Sequence, residues 1–232
     1  MRLRFALLAT AAAVSAVVAT GCTSRHERTL PAHFVAEVDN PWFPLKPGTT
    51  YVYRGAKDGK PSRERLEVTH LTKTIQGVHA TVLHDNLYLA GKLAERTTDW
   101  YAQDGGGNVW YLGEDTAELD RNGRVTSTEG SWQAGVDGAK AGIYMPAHPK
   151  VGESFSQEFY KGHAEDHFRV VGLRTSVNVP YTRSAAAMKT REWTPLEPGA
   201  IDFKYYVRGV GTVKEQAKDG SERGVLVSLR SS

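Results

Sequence analysis

The chain has 232 residues, 40% of them hydrophobic, with 29 Lys and Arg against 26 Asp and Glu and a formal net charge of +3. A single cysteine excludes an internal disulfide, so the fold must be held by its core. A charge this close to balance lacks the basic excess that nucleic-acid binding requires, and no nucleic-acid partner is expected.

The chain starts with Arg2 and Arg4, continues with an apolar run over residues 5–19, and reaches Ala19-Thr20-Gly21-Cys22. A basic start, a short apolar stretch and small residues before a cut describe a secretory signal. About 15 apolar residues fall short of the roughly 20 that span a bilayer. Ala19-Thr20-Gly21-Cys22 resembles the lipobox of bacterial lipoproteins, with Ala19 where Leu is usual. That resemblance implies cleavage before Cys22, a diacylglycerol on its thiol, and an exported protein lipid-anchored to the cell membrane or envelope. Residues 1–21 therefore read as a lipoprotein signal peptide, 22–40 as a lipid-anchored tether, and 41–232 as one β domain. Losing Arg2 and Arg4 takes the formal charge from +3 to +1. About 210 residues remain, enough for a full core.

From Pro41 onward, aromatic and β-branched residues alternate between Gly, Asn and Asp punctuation, the signature of strands. Asn40-Pro41-Trp42-Phe43-Pro44 is a rigid lead-in. Residues 49–54 form a first strand with Tyr51 and Tyr53 on one face. Residues 63–71 form a second, with Leu66, Val68 and His70 on one face and Arg65, Glu67 and Thr69 on the other. Residues 78–83 continue the meander. Residues 94–103 and 108–114 flank Asp104-Gly105-Gly106-Gly107 as a hairpin. Asn122-Gly123 marks another, with a two-residue turn. Residues 130–150, rich in Gly and ending in Pro146 and Pro149, predict a long loop with little regular structure, a frequent seat of function. Strands resume at 154–160, 166–179, 201–207, 211–216 and 224–230, while 184–189 suggests one helical turn. No period of 20 to 50 residues recurs. The fold expected is mainly β: a single antiparallel barrel or strongly curved sheet.

Several strings carry a resemblance. Asp99-Trp100-Tyr101-Ala102-Gln103-Asp104, Gly107-Asn108-Val109-Trp110-Tyr111, residues 130–139, Glu165-Asp166 and Thr194-Pro195-Leu196-Glu197-Pro198-Gly199 are similar to a family of exported bacterial lipoproteins with no established activity. The likeness covers most of residues 40–217. It implies an exported all-β domain and assigns no catalytic residue.

His163 and His167 are the one pair with metal-ligand spacing. On a strand their rings stand roughly 13 Å apart, too far for one zinc ion with ligands at about 2 Å, unless a turn at Gly162 brings them together. No Cys pair or His-Glu-x-x-His string supports them. His70, His79 and His84 sit on other strands. Gln157 shares strand parity with Phe155 and Phe159, Asp166 with Phe168 and Val170, and Glu114 with Trp110 and Leu112. If those faces point inward, each polar group needs a partner, because burying it alone costs roughly 2–7 kcal/mol, and the interior is a polar cavity. Trp100, Tyr101, Trp110, Tyr111 and Trp132 cluster around the hairpin. Such rings suit planar or sugar ligands when exposed, and are more often core. Gly152-Glu153-Ser154-Phe155-Ser156 misses the last glycine of a nucleophile elbow. Asp99, Asp104, Glu114, Glu158 and Glu165 are acids available for glycoside hydrolysis only if they converge.

The reading that follows is a non-enzymatic envelope lipoprotein binding a small or lipid-like ligand in a concave β face. The 130–150 loop would be its rim, and Tyr101, Gln103, Trp110, Glu114, Trp132, Gln157, Glu158, Glu165 and Asp166 its candidate contacts. No cofactor is expected. The alternatives are a hydrolase using paired carboxylates or a metal on His163 and His167, and an envelope interaction module presenting an exposed apolar patch.

Overall fold

The computed structural model describes residues 30–231; the export segment and Cys22 lie outside them. Sixteen strands and no helix occur among the described residues. They are β1 (Phe34–Val35), β2 (Thr49–Lys57), β3 (Lys60–Ile75), β4 (Val78–Leu89), β5 (Lys92–Asp104) and β6 (Val109–Leu119). Next come β7 (Val125–Ser127), β8 (Trp132–Gln133), β9 (Lys140–Met145), β10 (Ser154–Ser156) and β11 (Glu158–Phe159). The last are β12 (His167–Asn178), β13 (Arg183–Trp193), β14 (Asp202–Val207), β15 (Gly211–Ala217) and β16 (Glu222–Ser231).

Neighbours follow the order β10-β12-β13-β14-β15-β16-β2-β3-β4-β5-β6-β9-β11. The two ends of that path belong to one segment. β10 pairs with β12, β11 pairs with β9, and only Gln157 separates them. The sheet therefore curls round until residues 154–159 stitch its edges, which hides the edge strands that an open sheet would expose. The seam is tight: a Cβ on Gly142 would stand 2.3 Å from the Ser156 carbonyl oxygen, so only glycine fits there.

Alternation sets which side chains point in. Tyr51 and Tyr53 of β2 and Leu66 and Val68 of β3 face the interior as their parity predicts. Ladder partners extend each inner row across strands. One runs Leu226, Tyr53, Glu64, Leu87, Glu95; the next runs Tyr51, Leu66, Asp85, Thr97, Thr116; a third runs Val68, Leu83, Asp99, Glu114. One barrel end is plugged by the lead-in, with Val38, Trp42, Phe43 and Leu45 buried. Phe34–Val35 pairs with β5, so packed chain already precedes Pro41.

The structure corrects several local expectations. Residues 184–189 are strand, not a helical turn: pairing with β12, which includes Ser184 and Ala187, joined by β14 from Met188 onward, overrides the helix preference of Ala185, Ala186 and Ala187. The 130–150 stretch contains β8 and the barrel strand β9. His70 is exposed because a bulge between Val68 and Thr72 breaks the alternation. The 120–124 turn has positive φ at Gly123 alone, and the Asp120 carboxylate closes it by accepting from the Asn122 and Arg124 amides.

Candidate functional site

The nine residues proposed as ligand contacts do not gather in one place. Tyr101 packs in an aromatic cluster, 5.2 Å from Phe43, 4.6 Å from Tyr111 and 4.8 Å from Tyr144 between ring centroids. Trp132 meets Tyr111 edge-on at 5.4 Å. These rings are core, as are Trp100 and Trp110. Gln103 clamps the lead-in: its Oε1 accepts from the Asp39 and Asn40 amides at 3.0 and 2.7 Å, and its Nε2 donates to Asp39 at 2.6 Å. Trp110 donates its Nε1–H to Asp104 at 2.8 Å. Gln157 and Glu158 are buried at the seam, where the barrel closes. Glu165 accepts from the Gly162 amide in a turn, and the Asp166 carbonyl accepts from Gln157. His163 is held by Glu129 at 2.9 Å and stacks on Tyr160, while His167 stacks on Trp193. No three His, Cys, Asp or Glu groups are placed to hold a metal ion among the described residues.

Glu114 lines a cavity together with Asp99, which the sequence also offered as an acid, while the other acids there were not anticipated. Glu64, Asp85, Glu95, Asp99 and Glu222 join it around about 20 Å³ of free space, room for one water rather than an organic ligand. Tyr111 donates its hydroxyl to Asp99. Deeper in, Lys204 pairs with Glu192 at 2.8 Å and Glu215 at 3.3 Å, and Lys57 pairs with Glu222 at 3.4 Å. Acids outnumber these cations, and burial acts on them. It pushes Glu64 well above the carboxylate range, helped by the adjacent Asp85. Burial also lifts Glu215 to about 7, against the pull of Lys204, and raises Glu222 against Lys57. For Lys204, burial pulls the ammonium down, but Glu192 and Glu215 hold it well above its usual value. This lumen keeps protons on carboxyl groups; it has no space for a substrate.

A ligand-sized concavity lies on the outer wall. A groove of about 760 Å³ crosses β16, β2 and β3, within the range of small-molecule sites. A bulge between Leu226 and Ser228 bends β16 and puts Val227 into its wall. Arg54 of β2, Arg63 and Arg65 of β3 and Arg230 of β16 line it, with hydroxyls from Thr50, Ser228 and Ser231 and an apolar floor from Val52 and Val227. Arg54 and Arg63 are direct cross-strand partners, a like-charge placement that destabilises a sheet. Arg65 pairs with Glu67 at 2.6 Å, and Arg63 lies over the Tyr88 ring at 5.7 Å. Arg54 and Arg230 have no acid partner among the described residues. Parity alone would have put Arg63 and Arg65 on one face; their convergence with Arg54 and Arg230 needs the strand order.

No family model matches the chain, and no curated protein matches it. Among solved structures it is similar to a Bacteroides fragilis protein described as exported with a YmcC-like fold, at 14% identity and TM-score 0.46, over 85% of this chain and 99% of that one. It is also similar to a Parabacteroides distasonis protein described as a lipoprotein, at 12% identity and TM-score 0.41, over 87% of this chain and 100% of that one.

Proposed function

We propose that the chain is an exported, non-enzymatic lipoprotein of the bacterial envelope, anchored through Cys22, whose barrel binds an anionic, lipid-like ligand in its outer groove. The observation that carries this is the directly opposed pair Arg54 and Arg63, flanked by Arg65 and Arg230 around a ligand-sized hollow. An anion between the guanidiniums relieves their repulsion, and bidentate guanidinium–phosphate contacts are strong and directional. Val52 and Val227 offer an apolar floor for the start of an acyl chain.

The test is titration of the soluble chain from Thr23 onward with dihexanoyl phosphatidic acid below micelle formation. Replacing Arg54 by Ala removes a charged hydrogen bond worth about 1.5–3 kcal/mol, so affinity falls at least about tenfold. The reading fails if Arg54→Ala and Arg230→Ala bind the phosphatidate as well as the parent chain does.

A further inference from the structure

Beyond the groove, the outer wall shows a charge segregation with its own consequence. One register row runs Arg169, Arg191, Phe203, Gln216, Arg223 across β12 to β16. The adjacent row runs Lys189, Tyr205, Lys214, Val225, Arg54, Arg63, Tyr88 across β13 to β4. Neither row contains a carboxylate. None of their cations makes an ion pair among the described residues. Several lie against rings instead: Lys189 over Phe203 at 4.0 Å, Lys214 over Tyr205 at 5.0 Å, Arg191 over Trp193 at 5.0 Å. On β13, β15 and β16 the acids, Glu192, Glu215 and Glu222, point into the lumen.

We infer that this wall, from β13 to β16, is the face the barrel lays on an anionic bilayer. The inference rests on the lipid anchor at Cys22 proposed above. Seven residues, or eight residue-to-residue steps, separate Cys22 from Leu30, where the described chain begins. Fully extended they reach at most about 30 Å, so the domain stays beside the bilayer at high effective concentration. Anionic headgroups attract within a Debye length of about 8 Å, which only a face in contact can use. Cations interleaved with aromatic rings match the headgroup layer, where amphipathic rings and basic side chains both settle.

The experiment uses the full lipidated chain in vesicles of phosphatidylcholine, with or without a third of phosphatidylglycerol. With Cys22 lipidated, Gln216→Cys offers a single free thiol in the middle of the wall for a fluorophore, quenched by brominated lipid. Quenching is expected in the anionic vesicles alone and is lost at high salt. The triple variant Lys189→Gln, Lys214→Gln, Arg223→Gln should lower the docked-to-undocked ratio about a hundredfold, at about fivefold per charge. The same variant keeps phosphatidate binding in the groove, whereas Arg230→Ala loses that binding and keeps docking, so the two readings fail separately. The mass of the intact chain reports the lipid on Cys22 independently. Equal quenching with and without phosphatidylglycerol, or none in either, overturns the docking face.

Discussion

Glu215 turns the acidic lumen into a measurable pH dependence. Its side chain is 1% exposed, and burial raises its carboxyl from 4.5 to about 7 even with Lys204 at 3.3 Å. Below pH 4.5 the group is protonated in both the folded and unfolded chain and costs nothing. Between 4.5 and 7 the unfolded chain releases the proton while the folded one retains it, so stability falls as pH rises. At 1.36 kcal/mol per pKa unit, the loss is complete above 7 at about 3 kcal/mol. Glu215→Gln keeps the shape and removes the titration, and Lys204 retains Glu192 at 2.8 Å. The variant should match the parent near pH 4.5 and exceed it by about 3 kcal/mol at pH 8. In urea unfolding followed by tryptophan fluorescence, that difference moves the midpoint upward by about 1 M or more. A variant less stable than the parent at pH 8, or a difference that does not change with pH, refutes the placement of a proton-retaining acid inside the barrel.

Two further outcomes follow from the packing. A Cβ on Gly55 would stand 1.8 Å from the Arg223 carbonyl oxygen, a backbone atom that cannot rotate away, so Gly55→Ala should destabilise by at least about 1–3 kcal/mol in the same unfolding assay. Asp104 accepts from the Gly106 and Asn108 amides and from Trp110 Nε1, and these bonds outweigh its burial and hold its pKa below the usual range. Its contribution is present above the ordinary carboxylate pKa and lost as pH falls through the depressed one. Asp104→Ala should cost about 1–3 kcal/mol near neutral pH by leaving the buried Trp110 donor unpaired, and less once the pH falls through the depressed carboxyl pKa.

Sequence patterning made the fold class and most strands legible because alternation and turn residues are local signals. β13 was missed because its alanine run is a local helix signal that pairing with β12, and with β14 from Met188 onward, overrules. The acids of the lumen were partly legible: Glu64 has the parity of Leu66 and Val68, which the structure places on the inner face of β3. That Glu64, Asp85, Asp99 and Glu114 meet depends on register across four strands, and register is not written in any one of them. The aromatic strings drew attention to the hairpin around Tyr101 and Trp110, yet those rings are spent on the core and on Asp104. A residue type that suits a ligand also suits an interior, and only burial separates the two.

The near balance of charge in the sequence hides the main electrostatic fact of the fold. On β15, β16 and β3, successive residues alternate sign by face: Lys214 out and Glu215 in, Glu222 in and Arg223 out, Arg63 out and Glu64 in. A strand pays for such a pattern on both sides, since buried acids must keep protons or find Lys57 and Lys204, and outer cations stand opposite one another. Stability does not call for either arrangement; an apolar lumen and a mixed surface would serve it better. Binding does call for the outer one, because a concentrated positive wall attracts anions that a mixed surface would not. The inner acids then temper the net charge, leaving a domain near neutrality that still presents a strongly basic face. An anion in the groove and an anionic bilayer against the wall are the two occupants this charge layout favours; Arg230 answers for the groove, and Lys189, Lys214 and Arg223 for the wall.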